Sequence, residues 1–151
     1  MKFEIYCDGG CRGNQFAVNV GAWAYQIVSA SGSKKEKTGV DYCTTNNRME
    51  LIACISALEA LTAQSEVKLY TDSQYVVLGI TEWIRGWKRN GWKTAGKKPV
   101  TNKDLWEKLD SLNQKHKVKW IHVKGHSDCE GNLRVDYLLN EAMDAVTESK
   151  A

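Results

Sequence analysis

Two helical segments stand between strand-like segments in this chain, and that order restricts the sheet it can form more than any other feature. Residues 2 to 7 alternate, with Phe3, Ile5 and Cys7 on one face, which predicts a strand ending at Asp8, where Asp8-Gly9-Gly10 supplies turn chemistry. Residues 20 to 28 read as a second strand and roughly 35 to 43 as a polar third, joined by the Ser31-Gly32-Ser33 turn as an antiparallel meander. A helix follows from about Asn47 to Thr62, with Asn46 or Thr45 available as its cap. Residues 67 to 71 form a short strand that stops at Asp72. A short helix from 73 to 80 and a second helix, capped by Asn102 or Thr101 and running to about Lys115, lead to a fifth strand at 118 to 123. A final helix covers about 132 to 148. A helix between neighbouring strands calls for a parallel crossover. The fold class is therefore α/β, a mixed five-stranded sheet with helices on both faces. Ligands of such sheets bind beyond the carboxyl ends of parallel strands, where Asp8 and Asp72 meet if strands one and four are neighbours.

Two more acids interrupt apolar stripes. On a helix over 46 to 62, Glu50 lines up with Cys54, Ala57 and Leu61, and on the last helix Asp136 shares a face with Leu139, Met143 and Val146. A carboxylate turned toward a core needs a partner, a proton or a metal, although a single acid early in a helix also suits the dipole. Asp8, Glu50, Asp72 and Asp136 taken together predict a shared site for a hard cation such as Mg²⁺ or Mn²⁺. Four carboxylates exceed the needs of one ion and suit two, roughly 3.5 to 4 Å apart.

A chain of 151 residues fits a single domain over 1–151, and no repeat or linker divides it. No apolar run approaches the roughly 18 residues of a membrane span, and the first residues carry no signal-peptide core. Five cysteines without a CxxC pair argue against a disulfide framework and a structural zinc. A cytoplasmic, monomeric protein is the expectation. The net charge is only +3, but no acid occurs between Glu82 and Asp104, where Arg85, Lys88, Arg89, Lys93, Lys97, Lys98 and Lys103 crowd together. Trp83, Trp87 and Trp92 interleave with these cations, a pattern suited either to a nucleic-acid strand or to a tryptophan stripe that anchors a helix. His126, in a polar loop after strand five, can carry a proton near neutral pH or be a surface histidine.

Four stretches, Thr44-Thr45-Asn46-Asn47-Arg48-Met49-Glu50-Leu51, Thr71-Asp72-Ser73-Gln74-Tyr75-Val76, Trp92-Lys93-Thr94 and Val123-Lys124-Gly125-His126, closely resemble bacterial type 1 ribonuclease H, in order and at the family's spacing, over about residues 3 to 146. The resemblance implies strand order 3-2-1-4-5 with strand two antiparallel. It implies sequence-independent hydrolysis of the RNA strand of RNA–DNA hybrids, leaving 3′-hydroxyl and 5′-phosphate ends. Asp8, Glu50, Asp72 and Asp136 match the family's metal-binding catalytic acids, and His126 its catalytic histidine. Asn14, Asn46, Asn47 and Gln74 match residues that read RNA in the minor groove. Thr45 and Asn102 match part of a pocket for a DNA phosphate. Residues 83 to 98, with Trp83, Trp87, Lys88, Arg89, Lys97 and Lys98, resemble the basic protrusion that grips the DNA strand.

Three departures stand out. Gln15-Phe16-Ala17-Val18-Asn19 replaces a Gly/Pro-rich turn, Cys43 stands where the family often has a phosphate-binding arginine, and the last loop lacks a proline near Cys129. Two other readings are a catalytically silent hybrid-binding module and a nuclease domain cut from a reverse transcriptase. The intact acidic set favours an enzyme, and a start at strand one with an end just past the last helix favours a stand-alone protein.

Overall fold

The computed structural model describes residues 1–13, 19–124 and 129–149; Asn14, residues 15–18 and His126 lie outside them. Strands β1 (Lys2–Arg12), β2 (Val20–Ser29) and β3 (Lys34–Tyr42) form the expected meander. Helix α1 (Asn46–Glu59) leads to β4 (Glu66–Thr71), α2 (Gln74–Leu78), a π-helical turn (Gly79–Trp83) and α3 (Ile84–Arg89). Helix α4 (Lys103–Lys115), strand β5 (Lys117–His122) and helix α5 (Glu130–Ser149) complete the order. The sheet runs β3-β2-β1-β4-β5. The β1–β4 and β4–β5 pairs are parallel and the pairs involving β2 antiparallel, as the crossovers require.

One expectation fails at Asp8. The strand does not end there but continues through Gly9 and Gly10 to Arg12. Its parallel partner is exhausted at Cys7↔Thr71, yet β2 goes on pairing from Gly9↔Trp23 to Arg12↔Val20. Glycine-rich sequence does not break a strand whose backbone groups still have a neighbour to bond. Asp8 thus lies where β1 outruns β4.

Helix α1 is apolar nearly all round, with Met49, Leu51, Ala53, Cys54, Ile55, Ala57 and Leu58 buried, because it is covered by the sheet on one side and by α4 on the other. Thr45 caps it, its hydroxyl accepting from the Arg48 N–H at 3.1 Å. Asn102 precedes α4 as expected but does not cap it. It sits at φ 62°, and its side chain turns instead to the Arg48 guanidinium and the Tyr75 hydroxyl, at 3.1 Å each.

The stretch read as one short helix ending at residue 80 extends through the π-helical turn to Arg89. The turn begins at Gly79, where an added β-carbon would lie 2.1 Å from the buried Trp106 indole. Only glycine admits that ring, and the ring in turn carries Trp87, with centroids 5.2 Å apart. On the opposite face α5 seats Val135, Leu139 and Met143 against Ala22 and Ala24. Among the described residues, no helix is long and apolar enough to cross a membrane.

Candidate active site

The parallel pairing of β1 and β4 brings two acids together first. Cys7 is paired with Thr71, so the next residue on each chain, Asp8 and Asp72, emerges from the same edge of the sheet. Gly9 then lets α1 approach. A β-carbon there would meet the backbone of Met49 and Glu50 at 2.3 to 2.6 Å, so the strand and the helix touch without a side chain between them. That contact carries Glu50 in beside Asp8. One carboxylate oxygen from each of Asp8, Glu50 and Asp72 lies within 4.8 Å of the others.

The environment of these acids is strained. Asp8 is only 4% exposed. Burial, followed by the charges of Asp72 and Asp136, pushes its carboxyl from an ordinary 3.8 to about 8, against the lowering effect of the Gly9 N–H. Burial, then Asp8 and Asp72, also raises Glu50 well above the usual carboxylate range. The Glu50 Oε2 atom is buried without a hydrogen-bond partner. An orphaned carboxylate oxygen facing two more acids is the donor set a hard divalent cation takes, and the three residues fit one.

Asp136 is the acid the structure corrects. It was expected on a buried stripe, yet its side chain is exposed, while Leu139 and Met143 of the same helix are buried. It stands at the rim, on the α5 side, close enough to bear on Asp8 through both charge and a side-chain hydrogen bond. It does not belong to the tight group of three. His126 and Asn14 lie outside the described residues.

The remaining predicted contacts border this cluster. Asn46 and Asn47 open α1, one turn before Glu50, and Gln74 opens α2, two residues after Asp72; all three are exposed. The Asn46 side-chain Oδ1 accepts from the Cys11 N–H at 2.7 Å, tying α1 to the end of β1. Thr45 is exposed, but its hydroxyl is engaged as a cap. Cys43 is exposed at φ 53°, and Asn19, one of the departures, secures that corner by bonding both backbone groups of Thr44, at 2.8 and 2.9 Å.

In the basic segment the cations are not equivalent. Lys88 pairs with Asp110 at 3.0 Å, whereas Arg85, Arg89, Lys93, Lys97 and Lys98 form no ion pair among the described residues. Nor are the tryptophans. Trp83 is 41% exposed, while Trp87 and Trp92 are partly buried and packed against the core. Trp87 and Trp92 anchor this segment to the core, while Trp83 presents its ring to solvent.

Sequence reasoning missed three side chains. The His122 ring bonds the Asp72 carbonyl at 3.2 Å, Asn140 lies beside Asp136, and Arg12 bonds Asn140. The parallel register that sets His122 against Thr71 was the one available clue, and it requires the sheet order to be known.

Three acids gathered where β1 outruns its parallel partner β4, one with a buried, unpartnered oxygen, form in an α/β protein a donor set suited to a divalent cation. The RNase H family matches residues 1–144. A ribonuclease H of Methylobacillus flagellatus is 52% identical over 143 residues, covering 95% of this chain and 92% of that protein. One from Hydrogenovibrio crunogenus is 53% identical over 147 residues, covering 97% and 99%. Among solved structures, an RNase H1 of Halobacterium salinarum superposes with TM-score 0.69 at 28% identity, covering 96% of this chain and 99% of that one. A type 1 RNase H described as having the type 2 active-site motif reaches 0.78 at 27%, covering 93% and 71%. The chain belongs to the RNase H family.

Proposed function

We propose that Asp8, Glu50, Asp72 and Asp136 hold two divalent cations, Mg²⁺ in the working enzyme with Mn²⁺ as a substitute, against the RNA strand of an RNA–DNA hybrid. The protein is an endonuclease of the ribonuclease H kind, hydrolysing the RNA strand of such hybrids. The observation that carries the metal assignment is the group of three carboxylates within 4.8 Å, one of them with a buried, unpartnered oxygen. When bound, the cations supply an activated water and a counter-charge for the leaving oxygen, consistent with 3′-hydroxyl and 5′-phosphate products.

The chain's own residues do the rest. Asp8 is held within β1, Asp72 directly after the end of β4, and Glu50 on a buried helix, so their geometry is set before substrate arrives. Asn14, Asn46, Asn47 and Gln74 contact the RNA strand; an amide both donates to and accepts from a 2′-hydroxyl, which distinguishes RNA from DNA. Thr45 and Asn102 border the phosphate of the DNA strand. Trp83, Arg89, Lys97 and Lys98 meet that strand's sugars and phosphates, where contacts carry no sequence information. Trp87 supports them by fixing the helix, and Lys88 contributes less because Asp110 partly neutralises it. His126 moves a proton or aids product release. The enzyme acts as a cytoplasmic monomer, one domain with residues 83–98 as its basic protrusion.

The test is incubation of the purified protein with Mg²⁺ and a hybrid labelled on its RNA strand, with duplex RNA and an EDTA arm as controls. Cleavage of the hybrid alone, abolished by EDTA, is expected. Equal cleavage of duplex RNA, or none of either, would overturn the reading.

A further inference from the structure

Asp136 is the only one of the four acids left exposed at the rim, and a side chain outside the acidic set, Asn140, contacts it while being held in turn by Arg12. Asn140, one turn further along α5, donates from Nδ2 to the Asp136 carbonyl at 2.9 Å and to its Oδ1 at 3.4 Å. Its other amide atom, Oδ1, accepts from the Arg12 guanidinium at 2.8 Å. Arginine has donors and no acceptor, so this contact settles which way the amide faces: oxygen to Arg12, nitrogen to Asp136. Arg12 is itself fixed by an ion pair with Asp144.

The placement is reciprocal. Arg12 lies four residues beyond Asp8 on β1, and Asn140 four beyond Asp136 on α5. Their contact ties the strand that carries the first acid to the helix that carries the last. An exposed carboxylate would otherwise choose freely among its rotamers, and holding it in one of them removes an ordering cost from cation binding.

We propose that Arg12 and Asn140 are positioning residues for Asp136, with Arg12 orienting the Asn140 amide and the amide orienting the carboxylate. This rests on the reading of Asp136 as a cation ligand, and the experiment separates the two. Mn²⁺ affinity is measured by calorimetry on the substrate-free protein for the wild type and for Asn140→Ala, Asn140→Leu, Arg12→Met, the Arg12→Met/Asn140→Ala pair and Asp136→Asn. Asn140→Leu keeps the bulk and adds no charge while removing both the donor to Asp136 and the acceptor for Arg12, so it guards against a general effect of truncation.

A lost outer ligand contact typically costs about 10- to 100-fold in affinity. For an exposed group with a long hydrogen bond, we expect a loss of about 3- to 10-fold in both Asn140 variants, with the hybrid KM at saturating cation unchanged. Arg12→Met should weaken binding in the wild type and add nothing in the Asn140→Ala background. Wild-type affinity in both Asn140 variants, with a clear loss in Asp136→Asn, would overturn the proposal alone. Additive losses from Arg12 and Asn140 would overturn the relay. Unchanged affinity in Asp136→Asn would remove Asp136 from the ligand set, and the proposal with it.

Discussion

Replacing Asp8 with asparagine should abolish cleavage and, in the absence of metal, make the protein more stable. The carboxyl is carried from 3.8 to about 8, chiefly by burial and then by the charges of Asp72 and Asp136. Each tenfold change in proton affinity is worth about 1.4 kcal/mol, so at pH 7 the folded state carries a cost of up to about 4 kcal/mol from this group. Relaxation and sharing of the strain with Glu50 reduce it, and a gain of roughly 1 to 3 kcal/mol on neutralisation is the working figure. The sign follows from the raised value. Below about pH 4 the carboxyl is protonated in both states and costs nothing. The cost grows as pH rises above the unfolded value, where only the folded state retains the proton, and it levels off near 8, where the folded carboxyl ionises.

The assay is urea denaturation of wild type and Asp8→Asn in EDTA at pH 4 and at pH 7.5, repeated at the higher pH with Mg²⁺. At about 1 to 3 kcal/mol per molar urea, the variant's midpoint should exceed the wild type's by roughly 1 M at pH 7.5 and match it at pH 4. Mg²⁺ should stabilise the wild type and leave the variant little changed, because a cation that binds only the folded state adds stability in proportion to its affinity. Equal midpoints at both pH values, or a variant weaker at pH 7.5, would show that Asp8 is not held against its charge and would refute the electrostatic account of the site.

Other consequences can be measured directly. Neutralising Arg89, Lys97 and Lys98 should raise KM and flatten its salt dependence by up to about one log–log step per lost phosphate contact, with kcat little altered. Lys88→Ala should do so less, being already paired, and an equal effect would show that Asp110 does not restrain it. His126→Ala should slow turnover far more than it weakens hybrid binding; equal losses would make His126 a substrate contact. Cys43→Arg should tighten hybrid binding in Ca²⁺ by roughly 1 to 3 kcal/mol at low salt and less at high salt. Cys43 already occupies φ 53° with a β-carbon, so arginine adds no backbone strain, and no tightening would mean the phosphate lies elsewhere.

The order of strands and helices, with its two crossovers, determined the mixed sheet, because a parallel connection has few solutions; that Asp8 meets Asp72 depended on β1 and β4 being neighbours, which the sheet order supplies. The period of α1 likewise put Glu50 among buried neighbours. These are local signals, and they survive folding because periodicity records which side of an element is covered.

What the tertiary structure decided are matters of long-range register. Whether β1 stops at Asp8 depends on how far β2 continues to pair with it, and Asp8-Gly9-Gly10 looks like a turn without that partner. Asp136 shares its helix with buried Leu139 and Met143, but α5 has a rim, and only the seat of α5 on Ala22 and Ala24 shows that this acid faces outward. Lys88 is drawn to Asp110 on another helix, and Arg12 reaches Asn140 across 128 residues of chain. Neither partner is legible in the sequence, since a hydrogen bond between distant residues depends on distances that the assembled sheet and helices set.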